Sequence, residues 1–266
     1  MKPWWNGGSK VSVNSLIEVR TDGFESFDGV RLCVHEMGEG RPLILLHGLF
    51  SSARVNWIKY GTAGQIARAG FHVIMPDLRA HGQSAAPHEP SAYPRDVLVK
   101  DVQALIAHLS LDVFDIGGFS LGARTTAKLL SQGLKPGRAI LAGMGLEGLS
   151  GWASRRDFFQ TAIAERDTAR RGDPHWMAVQ FMKTMNIDPV AARLLLDTFG
   201  DVQPDEVASI ETETLVLCGR EDRDNGSPVA LAHLLPNGRL KEIPGTHMSC
   251  VTMTEMGQAM VDFLTA

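Results

Sequence analysis

The pentapeptide Gly118-Phe119-Ser120-Leu121-Gly122 could present a serine hydroxyl as a nucleophile. It directly follows an apolar run at 113–116 and precedes a plausible helix over 123–130, so the serine would occupy a sharp turn between a strand and a helix. Small residues on either side let such a turn expose the hydroxyl without clashes. The backbone N–H of Leu121, at the start of that helix, could stabilise an oxyanion. The motif therefore predicts acyl-transfer chemistry at Ser120.

A serine nucleophile needs a base, and the base needs a carboxylate that fixes its tautomer. Asp222 lies just past the apolar run 215–218, and His247 lies just past the run 240–243. If both runs are parallel strands, the two side chains reach the same sheet edge as Ser120. We predict His247 as the base and Asp222 as the orienting acid.

Three other carboxylates compete with Asp222 for the role of the acid. They are Asp224, Glu221 and Glu147, the last of which follows the apolar run 139–142. Asp224 and Glu221 are equally explained as parts of a solvated acidic loop, and Glu147 as a hinge residue beside an insertion.

His47-Gly48 follows the apolar run 43–46 directly and predicts a second part of an oxyanion site. The N–H of Leu49 could supply the second donor to an oxyanion. His47 itself is interpreted as a residue that braces this loop by hydrogen bonds.

The elements that must position these residues alternate between short apolar runs and helix-length amphipathic segments, which is typical of a mostly parallel sheet with crossover helices. Residues 29–35 alternate as in a hairpin strand, so the front of the sheet should be antiparallel. Segments 97–109 and 253–263 have helical spacing and should pack on the sheet. The continuous runs predict buried parallel strands; they are 43–46, 71–75, 113–116, 139–142, 215–218 and 240–243.

The longest interval without a strand pattern extends from about Gly145 to Glu213, and Pro-containing breaks divide it into several helices. The sequence therefore predicts a core of residues 1–145 and 213–266 and a helical cap of residues 146–212 that covers Ser120. Aromatic residues of the cap, together with Phe119 of the core, could line an apolar pocket, although packing within the insertion explains the cap aromatics equally well. The pocket candidates are Phe119, Trp152, Phe158, Trp176 and Phe181.

Composition limits the possible partners. The 266 residues are 44% hydrophobic and carry a formal net charge of −4, which gives no basic footprint for nucleic acid or anionic lipid. The arginine pairs at 155–156 and 170–171 are interpreted as solvated helix faces rather than as a site for an acidic substrate. Because of this charge balance, we do not expect binding to polyanions. No apolar stretch approaches the length of a membrane span, so we do not expect membrane insertion.

The cysteines and the N-terminus favour a cytoplasmic location. Cys33, Cys218 and Cys250 are odd in number and widely spaced, which predicts neither a disulfide framework nor a metal site. The first residues lack the apolar region of a secretory leader. The sequence leaves open whether Trp4 and Trp5 belong to a tail or lie over a site entrance.

Taken together, these features resemble the α/β-hydrolase fold superfamily over residues 24–264. The order Ser, Asp, His matches, and Asp77–Ser84 is similar to the family's D-x-R-G-x-G-x-S loop, with Ala80 at one usual glycine. The resemblance implies a structural role for that loop. Ala123 after the elbow and the short turn at 245–247 depart from common family patterns and blur the subfamily. The implied fold is a mostly parallel central sheet with helices on both faces and a helical cap insertion.

The resemblance also implies an activity: hydrolysis of a carboxylic ester of a small apolar substrate, as in a carboxylesterase, with water as co-substrate and no cofactor or metal. Serine as the nucleophile makes the aspartate-using members, haloalkane dehalogenases and epoxide hydrolases, poor models. Lactone opening, carbon–carbon bond cleavage and cofactor-free perhydrolysis remain open, as does a small-molecule receptor that retains the triad. The sequence leaves the substrate and the oligomeric state open.

Overall fold

Eight strands form one sheet in this computed structural model, which describes residues 18–266. Their order across the sheet is β1-β2-β4-β3-β5-β6-β7-β8; β1 and β2, and β2 and β4, pair antiparallel, and all other neighbours pair parallel. The predicted α/β fold with an antiparallel front is therefore confirmed. The residues around Trp4 and Trp5 lie outside the described part. The strands are β1 (Arg20–Glu25), β2 (Arg31–Met37), β3 (Arg41–Leu46), β4 (Phe71–Pro76), β5 (Asp115–Phe119), β6 (Arg138–Ala142), β7 (Glu213–Gly219) and β8 (Gly238–Ile243).

The α-helices of the described residues cover both faces of the sheet. They are α1 (Thr62–Arg68), α2 (Val97–His108), α3 (Leu121–Ser131), α4 (Leu146–Ser150), α5 (Trp152–Ala164), α6 (Trp176–Thr184), α7 (Pro189–Leu196), α8 (Pro204–Ala208), α9 (Pro228–Leu234) and α10 (Thr254–Leu264). Helices α2, α3 and α9 contribute to one apolar cluster, and α1 and α10 to another on the opposite face. Within residues 18–266, none of the helices has the length and apolar run that crossing a membrane requires.

Strand β3 explains why the central strands are apolar throughout. Ile44 and Leu46 pack into the cluster with α2, α3 and α9, whereas Leu43 and Leu45 pack into the cluster with α1 and α10. All four side chains are fully buried. A parallel strand covered on both faces must be apolar at every position, and this produced the continuous signal in the sequence.

Two predicted runs were wrong in detail, and one strand was missed. Strand β5 begins at Asp115, and Val113 lies in the preceding turn with 70% of its surface exposed. Strand β8 lies at the sheet edge, where Ile243 is its one buried residue and Leu240 faces solvent. The sequence pattern did not predict strand β1, because its side chains are mostly exposed and polar and only Phe24 is buried.

Helices α4 to α8 form the insertion between β6 and β7. Two of the predicted breaks coincide with helix starts: Pro189 opens α7, where Asp188 accepts hydrogen bonds from two backbone N–H groups, and Pro204 opens α8. The insertion has its own apolar cluster, which includes Trp152, Val179 and Met182. The division of the chain into a core and a separate cap stays a prediction.

Candidate active site

Ser120 occupies the turn between β5 and α3 with a backbone conformation of φ 52° and ψ −108°. A side chain at positive φ is strained, so surrounding contacts must hold it. The Ser120 N–H donates to the carbonyl of Ala142 at the end of β6 (2.8 Å), and the Ser120 carbonyl accepts the Arg124 N–H (2.9 Å). These bonds fasten the turn to the sheet on one side and to the helix on the other.

The glycines of the motif are required by close backbone contacts. A Cβ at Gly118 would lie 2.2 Å from the carbonyl carbon of Gly122, and a Cβ at Gly122 would lie 2.1 Å from the carbonyl oxygen of Leu46. Real Cβ atoms do not approach other atoms this closely. The spacing that singled out Ser120 in the sequence therefore has a steric cause.

Asp222 and His247 are hydrogen-bonded at the ends of β7 and β8. The Nδ1–H of His247 donates to Asp222 Oδ2 at 2.8 Å, and both side chains are buried. Burial works to raise the pKa of Asp222, but the hydrogen bond and charge interaction with His247 outweigh it, so the pKa is lowered. The carboxylate is therefore ionised and fixes the imidazole with Nε2 free to accept a proton.

Glu221 braces the two loops that carry these residues. Its N–H donates to the Gly245 carbonyl (3.1 Å), and its Oε2 accepts the Gly245 N–H (2.7 Å). The Arg220 N–H also donates to the Ile243 carbonyl at 2.8 Å. The loop with the acid and the loop with the base are thus bound directly to each other.

The two remaining rival carboxylates have other partners. Oε2 of Glu147 accepts the Ser227 N–H at 2.7 Å. The Asp224 N–H donates to Asp222 Oδ1 at 3.0 Å, while the Asp224 side chain is exposed. Among residues 18–266, Asp222 is the one carboxylate hydrogen-bonded to His247.

Ser120 and His247 line one cavity but are not hydrogen-bonded to each other in the described chain. The Phe119 ring packs beside the imidazole, with ring centroids 4.8 Å apart. Catalytic hydrogen bonds are often long without substrate and shorten in the complex. Proton transfer between the two residues therefore requires the hydroxyl to approach the imidazole.

The predicted oxyanion donors both lie next to Ser120 in this arrangement. Leu121 is the first residue of α3, and Leu49 lines the cavity. Neither N–H donates to a protein acceptor in the described part of the chain. A Cβ at Gly48 would lie 3.6 Å from Ser120 Cβ, so the loop with Leu49 passes within contact of the nucleophile candidate.

A cavity of about 760 Å³ opens above Ser120; we call it the Ser120 cavity. Its walls are mostly apolar, and α5 and α6 of the insertion contribute many of them. Its lining includes Leu49, Val55, Asn56, Tyr60, Phe119, Arg155, Phe158, Phe159, Met177, Phe181, Asp224, Met248 and Val251.

Three of the five predicted pocket residues, Phe119, Phe158 and Phe181, line the Ser120 cavity. Trp152 and Trp176 do not line it. Trp152 is buried inside the insertion instead, where its Nε1–H donates to the Leu196 carbonyl at 2.9 Å.

A family model described as the alpha/beta hydrolase fold matches residues 41–178, which is just over half of the chain. The chain belongs to this family.

Individual α/β-hydrolase relatives match more locally. AB hydrolase superfamily protein YisY of Bacillus subtilis (strain 168) is 34% identical over 103 residues, which cover 39% of this chain and 37% of that protein. An epoxide hydrolase of Caballeronia sordidicola is 31% identical over 117 residues, 42% of this chain and 35% of that protein. The chain thus spans little more than a third of the length of these curated relatives.

A solved structure extends the likeness over nearly the whole chain. An esterase (EaEST) from Exiguobacterium antarcticum superposes with a TM-score of 0.75 at 18% identity and covers 92% of this chain and 99% of its own. At that identity the superposition establishes the fold of the α/β-hydrolase family and nothing further.

Sequence reasoning missed several polar residues of the α/β-hydrolase cavity, among them Asn56 and Arg155. Asn56 lies in a π-helical turn (Arg54–Ile58), and its Oδ1 accepts the Gly48 N–H at 3.1 Å; no local pattern marked it. From the sequence, Arg155 and Arg156 are interpreted together as a solvated helix face, but Arg155 lines the cavity. Adjacent residues on a helix point about 100° apart, and α5 directs only Arg155 into the cavity.

One group of side chains in residues 18–266 has the spacing of metal ligands: Cys33, His35 and Asp77. They lie outside the Ser120 cavity and are all buried. Asp77 accepts the backbone N–H groups of Ala53 and Gln83, each at 2.8 Å, and lies 3.3 Å from His35 Nε2. The carboxylate is therefore already satisfied by protein donors.

Proposed function

We propose that this α/β-hydrolase cleaves carboxylic esters with Ser120 as nucleophile, His247 as general base and acid, and Asp222 as the group that orients the imidazole. The observation that carries the proposal is the convergence of Ser120 and the buried His247–Asp222 pair at one apolar cavity. The three residues come from three different strand ends, and packing alone does not require that arrangement.

The reaction proceeds by two acyl transfers. His247 Nε2 takes the Ser120 proton as Oγ attacks the ester carbonyl, and the N–H groups of Leu49 and Leu121 stabilise the oxyanion. The tetrahedral intermediate collapses, His247 returns the proton to the leaving alcohol, and an acyl-enzyme remains. Water then loses a proton to His247 as it attacks the acyl carbonyl. The second tetrahedral intermediate collapses to release the acid, and His247 returns that proton to the Ser120 Oγ.

Two features favour an ester over an epoxide, the substrate class named for several relatives. A serine alkoxide adds to a carbonyl carbon and generates an oxyanion. Two backbone N–H groups that donate to no acceptor within residues 18–266 lie beside Ser120. The match to the epoxide hydrolase covers 42% of this chain. An aspartate nucleophile would also require a carboxylate at position 120, which is serine.

The first test is labelling with a fluorophosphonate probe, followed by turnover of 4-nitrophenyl esters. We expect the probe to label the wild type and not Ser120→Ala, and we expect that variant to lose about a thousandfold or more in kcat. Ser131→Ala is the matched control, because Ser131 lies at the far end of α3 outside the cavity. Full activity of Ser120→Ala would disprove the proposal, and ligand binding without turnover by the wild type would favour a receptor.

A further inference from the structure

Arg155 is the one Lys or Arg side chain among the described residues that line the Ser120 cavity. It is half-buried on α5 beside the ring of Phe159, and its guanidinium carbon lies 5.9 Å from the centroid of that ring. The remaining lining side chains are apolar or neutral, apart from Asp224 and the proposed base His247. A cationic group therefore faces an otherwise mostly apolar chamber.

Within residues 18–266 this guanidinium has no carboxylate partner, unlike several other arginines of the chain. Its Nη1–H donates to the backbone carbonyl of Asp224, and within residues 18–266 it forms no ion pair with a carboxylate. By contrast, Arg124 bonds to Asp201 at 2.6 Å and Arg79 to Asp101 at 2.7 Å. Nε and Nη2 of Arg155 donate to no protein acceptor in the described chain.

The electrostatic surroundings leave this charge under-compensated. Burial lowers the pKa of Arg155, while the charges of Asp224 and Asp222 act in the opposite direction without restoring it. Partly desolvated charges are costly unless they are paired. An anion bound in the cavity would supply the missing pair, and the planar guanidinium fork matches a carboxylate in two-point geometry.

We propose that the substrate carries a carboxylate, which Arg155 binds while the ester carbonyl lies at Ser120. The ester would then be the half-ester of a dicarboxylic acid, with an apolar spacer of the length that separates the two residues. This inference deepens the proposed function and rests on it. It also reverses the interpretation of Arg155 as a solvated residue.

The test compares pairs of esters that differ in whether the distal carboxyl group is free or capped by a methyl group. Aryl hemisuccinate, hemiglutarate and hemiadipate are each measured against their methyl-capped, uncharged counterparts. We expect the wild type to prefer the charged member of at least one pair by about tenfold to a hundredfold in kcat/KM, mainly through KM, as one charge-assisted hydrogen-bond pair provides. In Arg155→Gln that ratio should fall to about threefold or less, and Arg155→Lys should retain part of it.

Arg156→Gln is the matched control. Arg156 is the neighbouring residue on α5, it does not line the Ser120 cavity, and it already pairs with Asp157 at 3.0 Å. The charged-to-uncharged ratio should stay at the wild-type value in this variant. An equal fall of the ratio in both variants would point to a long-range field rather than to a binding site and would overturn the inference.

A binding measurement separates this inference from the esterase proposal. Succinate, glutarate and adipate should raise the Tm of the Ser120→Ala protein, and the added change Arg155→Gln should remove the shift. If the wild type hydrolyses both members of every pair equally and no diacid shifts the Tm, the carboxylate site is refuted while the esterase stands. If neither ester is turned over and Ser120 is not labelled, the proposed function fails. A diacid-induced shift lost in Arg155→Gln would then still support the anion site.

Discussion

Replacing Asp222 by asparagine tests the assignment of the acid. The Asp222 carboxylate accepts from two donors: Oδ2 from His247 Nδ1–H at 2.8 Å and Oδ1 from the Asp224 N–H at 3.0 Å. An asparagine amide has one oxygen, so only one donor can keep its acceptor. If that oxygen stays on the backbone N–H, the amide N–H₂ faces Nδ1 and forces the imidazole proton onto Nε2. The base then has no lone pair directed at Ser120.

The expected cost of Asp222→Asn follows from this loss of the active tautomer. We expect kcat for a 4-nitrophenyl ester to fall by about ten-thousandfold, which corresponds to about 5.4 kcal/mol at 1.36 kcal/mol per decade. The rate of fluorophosphonate labelling of Ser120 should fall in parallel, because the probe depends on the same base. The variant keeps the volume of the side chain, so circular dichroism should show the same fold.

Glu147→Gln is the matched control for this experiment. Glu147 follows β6, and its Oε2 accepts one backbone N–H, from Ser227. A glutamine oxygen can accept the same bond, so kcat should stay within about threefold of the wild type. The assignment would be refuted if Asp222→Asn kept activity within tenfold of the wild type while Glu147→Gln was inactive. Glu147 would then be the acid that orients His247.

Two further predictions concern stability. Arg79→Met should lower the free energy of unfolding by about 3–5 kcal/mol in urea titrations, because it leaves the buried carboxylate of Asp101 without its ion-pair partner and also removes the pair with the more exposed Asp28. Arg95→Met, whose side chain is 82% exposed, should change it by about 0.5 kcal/mol or less, and equal losses in the two variants would contradict the reasoning. The hydrogen bond to Asp77 raises the pKa of His35 to about 9 from 6.5, so its stabilisation is complete below about pH 6.5 and is lost as the pH rises through about 9. Between pH 6 and pH 10, the free energy of unfolding obtained from thermal unfolding should therefore fall by about 1–3 kcal/mol more in the wild type than in His35→Gln. An equal fall in both proteins would refute the ion pair.

The parts of the fold that the sequence predicted are those with a strong local cause. Leu43 to Leu46 were recognisable because burial on both faces allows only apolar residues there. Ser120 was recognisable because its flanking glycines are forced by backbone contacts within the same short segment. The prediction that Leu240 is buried was wrong because β8 lies at the edge of the sheet. The position of a strand within the sheet decides how much of it is covered, and an apolar residue type does not reveal that position.

The cavity walls were harder to predict, because the direction of each cap side chain depends on how its helix docks. Phe158 lines the cavity, while Trp152, six residues earlier on the same helix, packs inside the insertion. Both are aromatic residues of an insertion that must bury apolar surface in any case. Residue type therefore gave equal support to the right and the wrong choices, and only the packed structure separates them.

The loop that carries Leu49 depends on buried polar contacts that no local pattern reveals. The Phe50 N–H donates to His81 Nε2 at 2.9 Å, and the Ala53 N–H donates to Asp77 Oδ1 at 2.8 Å. In return, His47 Nε2 accepts the Leu78 N–H at 2.9 Å. The loop that carries Leu49 and the loop that contains Asp77, Leu78 and His81 therefore hold each other in place by reciprocal hydrogen bonds.

This arrangement works only while the two histidines are neutral, since a protonated imidazole would direct an N–H at each backbone N–H. Burial lowers the pKa of His81 to about 3 and also lowers the pKa of His47. The acceptors are therefore retained throughout the physiological pH range. Because an oxyanion site lowers a barrier only if its donors are fixed before the charge develops, these two buried histidines serve the proposed chemistry by keeping the Leu49 loop in place.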